Sequence, residues 1–373
     1  MKLRIVILGL SISSSWGNGH ATVYRGLVRE LVRRGHDVLF LERDKPWYAQ
    51  NRDLPPPLSE EVCFYQSLED LKRRFSQRVG GADAVIVGSY VPEGAEVCRW
   101  ATQAGSSVTA FYDIDTPVTL AKLEAGECEY LEPELIPRFS LYLSFTGGAV
   151  LELLRLKYGS PMARAFYCCV DPSLYYPETG TRKVFDLGHL GTYSDDRRTP
   201  LENLLLSPAR MLPEAKFVVA GPMYPQSIRW PSNVRRIEHV PPFEHRAFYN
   251  AQRFTLNITR AAMVQAGYSP SVRLFEAAAC GTPILSDRWP GLEEFFEPGA
   301  EIFTASSAEE VREILARTKP SEAMWVAAQA RLRVLKEHTA ARRASQLEQM
   351  ILQQKWGQVQ PALQKGMVSR SIQ

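Results

Sequence analysis

The sequence holds no CxxC pair. None of its six cysteines (Cys63, Cys98, Cys128, Cys168, Cys169 and Cys280) stands in a Cys/His cluster with zinc spacing. This excludes a cysteine-built metal site and a dithiol redox motif. The adjacent Cys168 and Cys169 are awkward for an ordinary disulfide, so the thiols read as reduced and mostly buried, in a cytoplasmic setting. No stretch reaches about 18 uninterrupted apolar residues, and the opening run LRIVILGL is too short to cross a bilayer and lacks a small-residue cleavage site. No transmembrane segment is expected. Charge of one sign is also missing: 44 Lys and Arg face 41 Asp and Glu. Such a balance gives no basic surface for nucleic acid, and none is expected as a partner. A spaced GxGxxG is absent as well, since Gly17 and Gly19 in SSSWGNGH do not form one. Glu42, near the end of the second strand-like run, leaves a dehydrogenase open on that feature alone.

What is present is length and alternation. The chain of 373 residues is roughly twice a typical single domain and long enough for two cores. Apolar runs alternate with helical patterns, the signature of βαβ units around parallel sheets. Residues 3–9 read as a buried strand, and Val23, Leu27 and Leu31 mark one face of the helix after it. Gly35 stops that helix before DVLFLE. Further strands are ADAVIVGSY, SSVTAFYDIDTP and LYLSFTG, while 44–60, with Pro46 and Pro55–Pro57, reads as a surface loop. The segment 171–185 is short of aliphatics and suits a linker. Alternation then restarts with FDLGHLGTY, a helix near 200–212, AKFVVAGPMY, NVRRIEHV, RFTLNIT, a helix over about 271–280, and TPILSD. The expected division is 1–170, a linker at 171–185, 186–335, and a C-terminal helix and tail over 336–373 that packs back toward the first half. Two doubly wound halves place ligands at the carboxyl ends of their strands.

The most informative segment is GYSPSVRLFEAAACGTPILSD. Its loop, Tyr268, Ser269, Pro270 and Ser271, leads into a helix, and free N–H groups with the positive dipole end there suit phosphate oxygens. Ser269 and Ser271 add hydroxyls, Arg273 or Arg260 positive charge, and the Glu276 carboxylate can accept two bonds from a ribose diol. The plainer reading makes Ser271 a helix cap, Arg273 a solvated side chain and Glu276 a dipole partner.

That segment resembles the nucleotide-sugar-binding part of group 1 glycosyltransferases, closest to the CgeB-like branch. The resemblance extends to FYDIDTPVTL, LYLSFTGG, GHLGTYSDDR, FVVAGPMYP, NVRRIEHVPP and FTLNITR. It implies an α/β fold of the GT-B type, two Rossmann-like doubly wound domains facing a cleft. It also implies a diphosphate on the loop before Glu276 and a ribose on Glu276 itself. Tyr268 departs from the pattern, because many group 1 enzymes carry a donor-sugar glutamate at that place. A phenol is uncharged at neutral pH, so sugar contact and stereochemistry stay open. By the same resemblance, Gly191, Thr192, Tyr193 and Arg197 or Arg198 reach the phosphates, and His239-Val240 meets the nucleobase. Gly17 and Gly19 face the donor sugar. The plainer alternatives are a polar turn at 191–198 and a packing histidine at 239.

His20, at a helix start, resembles the GT-B histidine that deprotonates an acceptor or orients the sugar, and its titration range suits a base. Asp113-Ile114-Asp115 forms a DxD whose carboxylates can converge on one side of a strand. GT-B relatives replace a metal with basic residues and helix dipoles, so the expected role is to orient His20 or act as base, with no metal and no cofactor beyond the nucleotide-sugar. Turn-capping is the plain alternative for both aspartates. The implied activity is metal-independent transfer from a nucleoside-diphosphate sugar, UDP being the commonest nucleotide, to a hydroxyl on a glycan, lipid-linked sugar, protein or small molecule. A non-catalytic nucleotide-sugar-binding protein and a nucleotide-sugar epimerase are the alternatives.

Overall fold

The computed structural model describes residues 1–16, 18–54 and 58–368, with side chains described through residue 357. Among these residues lie two parallel sheets. The first is made of β1 (Arg4–Gly9), β2 (Asp37–Arg43), β3 (Val62–Tyr65), β4 (Ala84–Gly88), β5 (Val108–Asp113), β6 (Leu141–Ser144) and β7 (Ala163–Ala165). Their spatial order is β3-β2-β1-β4-β5-β6-β7. Strand β1 shows why the pairing is parallel. Ile5, Val6, Ile7 and Leu8 are all essentially sealed from solvent, so both faces are covered by helices, and βαβ crossovers supply that cover. The helix His20–Arg33 turns Val23, Leu27 and Leu31 onto the sheet, as their spacing predicts.

The second sheet contains β8 (Phe185–Leu190), β9 (Phe217–Ala220), β10 (Val234–Ile237), β11 (Gln252–Asn257), β12 (Ile284–Ser286) and β13 (Phe303–Thr304), in the order β10-β9-β8-β11-β12-β13. The strand order reverses direction beside β1 and β4 in one sheet and beside β8 and β11 in the other. Loops leaving these strands diverge to opposite faces and leave a crevice.

Two expectations need adjusting. Part of the supposed loop 44–60 is ordered into a short helix, Pro46–Ala49, and a 3-10 turn, Leu58–Glu61, while Pro55–Pro57 lie outside the described residues. The helix near 200–212 carries a π turn at Glu202–Leu206. The last helix, Ala340–Val368, packs on His20–Arg33 of the first half. Its approach is anchored by the Val170–Thr339 bridge and by His338, stacked on Phe275 at 4.4 Å and 7°. Arg343 ties this crossing to the Tyr167 and Glu337 carbonyls.

Candidate functional site

A cavity of about 470 Å³ opens between the sheets, lined by the segments that follow β1, β4, β5, β8 and β11. A smaller one of about 120 Å³, which shares Asn18, Gly19, Thr192 and Arg273 with it, reaches His239, Val240, His245 and Glu276.

Three arginines from three segments meet at the larger cavity. Arg197 donates to the Thr192 carbonyl at 2.8 Å, and Arg273 to Ser271 Oγ at 3.3 Å. Arg260 Nη1 stands 4.0 Å from Asp115 Oδ2, across the cleft. Among the described residues, the Nε groups of both Arg197 and Arg260 are buried without a partner. Burial, with Arg273 and Arg260 close by, lowers the Arg197 pKa to about 10. Like charges packed this way, with orphaned donors, are unfavourable unless an anion joins them. The helix Val272–Ala279 begins at the same place, with Ser271 as its cap, so its dipole adds to the same potential. An anion with several oxygens fits here.

The opposite wall carries a carboxylate and an imidazole. Asp115 Oδ2 accepts from the Tyr90 hydroxyl at 3.1 Å and lies 4.0 Å from His20 Nε2. Burial lowers the His20 pKa, the Asp115 charge works against that, and Arg260 adds to it. The imidazole is therefore neutral near pH 7 and able to take a proton. The loop before His20 is held by Glu42, which accepts from Ser11 Oγ (3.0 Å), Ile12 N (2.8 Å), Ser13 N (3.0 Å) and Ser13 Oγ (2.6 Å). Glu42 is thereby fully engaged and buried, which removes the dinucleotide reading of that position.

In the smaller cavity Glu276 is only 3% exposed, and its Oε2 accepts from the Tyr249 hydroxyl at 3.1 Å. His245 Nδ1 lies 3.8 Å from the same oxygen. Trp16, from the first half, meets His239 with ring centroids 4.5 Å apart.

Residues 197–349 match the family model described as glycosyl transferase-like. No curated protein matches the chain in sequence. Among solved structures, the chain is similar to sucrose-phosphate synthase from Thermosynechococcus elongatus (15% identity, TM-score 0.66, covering 94% of this chain and 98% of that one). It is also similar to HepE of Anabaena in complex with UDP-glucose (14%, TM-score 0.68, 94% and 99%). A third similar structure is an alpha-glucosyltransferase in complex with UDP-glucose and DNA containing an abasic site (12%, TM-score 0.71, 94% and 100%). At these identities the likeness is one of fold, and the fold is that of GT-B enzymes. Residues 197–349 are glycosyl transferase-like, on a chain with the GT-B fold.

Within this GT-B cleft, the larger cavity is lined by Gly19, His20, Asp115, Thr192, Tyr193, Arg197, Arg260, Ser269, Pro270, Ser271 and Arg273. The smaller one brings Gly191, His239, Val240 and Glu276 together. Gly17 lies outside the described residues. Ser269 is less free than expected, since its hydroxyl pairs with Thr146 Oγ1 at 2.9 Å across the halves.

Asp113 is a correction. It closes β5, fully buried, and its carboxylate accepts from Tyr142 (2.6 Å) and Thr119 (2.8 Å). Asp115 lies past the strand end, at the start of the helix Thr116–Ala125, so the period-two argument does not apply: its N–H donates to Asp113 Oδ1 at 3.3 Å, while its own carboxylate meets Tyr90. Tyr268 is the second correction, because it does not line either cavity. Its ring fills a slot between Gly148 of the first half and Gly291 of the second. A Cβ on Gly148 would stand 2.3 Å from the ring, and one on Gly291 2.4 Å from it. Its carbonyl accepts from Gly147 N at 2.9 Å. Sequence reasoning missed Tyr90, Tyr249 and His245. Tyr90 lies two residues past the end of β4, at a position where ligands gather, and that was the available signal. Tyr249 and His245 sit on a helix, Pro242–Asn250, whose pattern says nothing of Glu276.

Proposed function

We propose that the chain transfers a glycosyl group from a UDP-sugar to an acceptor hydroxyl, with the donor diphosphate held by Arg197, Arg260 and Arg273. The observation that carries this reading is the arginine trio at a helix N-terminus, two of its buried Nε groups lacking partners. The ribose rests on Glu276 and the base beside His239 and Val240. UDP is the nucleotide chosen because two similar structures are UDP-glucose complexes. The acceptor oxygen attacks the anomeric carbon as the bond to the phosphate oxygen breaks. The diphosphate leaves with the electron pair, its growing charge met by the guanidinium groups and the helix dipole. His20 takes the acceptor proton, and Asp115 steadies the imidazolium that forms. Closing the halves about the 171–185 linker brings these groups together.

Membership of the CgeB-like branch is part of the proposal and is supported by the sequence motifs. Cysteine usage favours a reducing, cytoplasmic setting, and no described helix is long and apolar enough to cross a membrane. The near-balanced charge favours an acceptor other than nucleic acid.

The test is calorimetric titration with UDP. Arg197→Gln should weaken binding by roughly ten- to a hundredfold, the worth of a hydrogen bond to a charged group. Unchanged affinity would remove the diphosphate site from Arg197. Incubation with UDP-glucose then separates the activities: a transferase releases UDP, an epimerase converts the sugar with UDP still attached, and a binding protein does neither.

A further inference from the structure

The carboxylate of Glu276 is deeply buried, yet only one of its oxygens is engaged. Tyr249 donates to Oε2 at 3.1 Å. No described residue donates to Oε1, while the side chain lines the cavity shared with Gly191, Thr192, His239 and Arg273. Toward the carboxylate, which only accepts, the Tyr249 hydroxyl is the donor, and it keeps its proton at neutral pH. Burial, and then the Glu276 charge, push its pKa well above the ordinary phenol range.

His245 stands behind this pair. Its Nε2 lies 3.0 Å from the Val240 carbonyl, which only accepts, so Nε2 carries a proton. Its Nδ1 faces the Tyr175 hydroxyl at 3.4 Å. His245 Nδ1 stands 3.8 Å from Glu276 Oε2, beyond hydrogen-bond distance. Among the described residues, Tyr249 is thus the donor that stands closest to the carboxylate. Tyr175 is likewise kept protonated, by burial, then by the Glu276 charge, and by a weaker hydrogen bond to that carboxylate. It belongs to the 171–185 segment, so this cluster joins the linker between the halves to the wall of the smaller cavity.

We infer that Tyr249 is a positioning residue for the ribose. By occupying Oε2, it turns Oε1 alone toward the sugar hydroxyls, with His245 and Tyr175 as its outer support. This rests on the reading of Glu276 as the ribose group. It also narrows that reading, because both bonds expected from the diol then fall on a single carboxylate oxygen. A buried carboxylate with a single anchoring donor rotates when that donor is removed, and the gain from ribose hydroxyls is then lost.

The experiment compares UDP with 2′,3′-dideoxyuridine diphosphate, which lacks both hydroxyls, by calorimetric titration. The wild-type protein is expected to prefer UDP by on the order of tenfold or more. Tyr249→Phe keeps the ring and its packing. It should weaken UDP by about tenfold while leaving the dideoxy compound within about twofold, so that the preference disappears. Tyr175→Phe should reduce the preference by a smaller factor, about threefold. A merely structural role for Tyr249 would weaken both ligands equally or neither, and either result overturns the inference. A wild-type protein that binds both compounds equally overturns the assignment of Glu276 to ribose itself. A preference that survives intact in Tyr249→Phe overturns only the role of Tyr249.

Discussion

Asp115 gathers groups from several segments around a single oxygen: Tyr90 at 3.1 Å, His20 at 4.0 Å and Arg260 at 4.0 Å. Tyr90 reaches it from a left-handed backbone conformation, φ 66°, which a bulky residue adopts at a cost of roughly 1–2 kcal/mol. Tyr90→Phe should lower kcat by about tenfold while leaving UDP affinity within about twofold, read by steady-state kinetics beside calorimetry. The pH profile supplies a second check. His20 titrates below its ordinary 6.5 because burial outweighs the Asp115 charge. The acidic limb of kcat/KM should therefore lie below pH 6.5. Asp115→Asn removes the influence that raises the His20 pKa, so the limb should move to still lower pH. A shift to higher pH would show that another group carries the limb.

Between elements, the loop Gly267–Ser271 does two things at once. Its end caps the helix that faces the arginines, while Tyr268 pins the halves together between Gly148 and Gly291. The ring, rather than the hydroxyl, does the packing. Tyr268→Phe should therefore keep donor affinity within about twofold. Tyr268→Ala, which empties the slot, should lower the melting temperature by several degrees, on the order expected for a large-to-small change at a packed seam. Thermal melts and UDP titrations on both variants check this. A large loss of donor affinity in Tyr268→Phe would put the phenol back at the sugar. The arrangement also explains why the sequence misdirects here. Position 268 lies in the motif, but its φ of 49° turns the side chain into the seam.

For the molecule as a whole, buried histidines set a limit in acid. His189 and His338 both have pKa values lowered to about 3, chiefly by burial. An unfolded chain protonates them near 6.5. As pH falls below 6.5 the unfolded state takes up protons that the folded state refuses, so stability is lost progressively toward pH 3. Asp113 acts in the opposite sense. Its pKa is raised to about 6, chiefly by burial, so its penalty is relieved as pH drops through that value. Two histidines with wider windows outweigh one aspartate. The melting temperature should fall between pH 7 and pH 5, and His338→Gln should flatten that fall. An unchanged slope would mean that His338 is already charged in the folded protein. His338 stacks on Phe275 where the chain crosses between the halves, so its protonation would strike the hinge directly.

By itself the sequence determined the elements and the loops that matter. Apolar runs such as IVILGL are long enough to be buried on both faces, and such runs pair in parallel and deliver their loops to one edge. The cap at Ser271, the arginines after β8 and β11, and the position of Glu276 were legible for the same reason: they are local to a strand end or a helix start. What only the tertiary structure decided is which side chains turn toward the cleft. Asp113 and Asp115 are two residues apart, yet one is sealed under Tyr142 and the other meets His20. Tyr268 and Ser269 are neighbours, yet one packs between glycines and the other lines the cavity. The partners that settle each case, Tyr142, Tyr90, Gly291 and Tyr249, come from distant segments. Local periodicity contains no information about them, because burial and pairing are decided when the two halves pack.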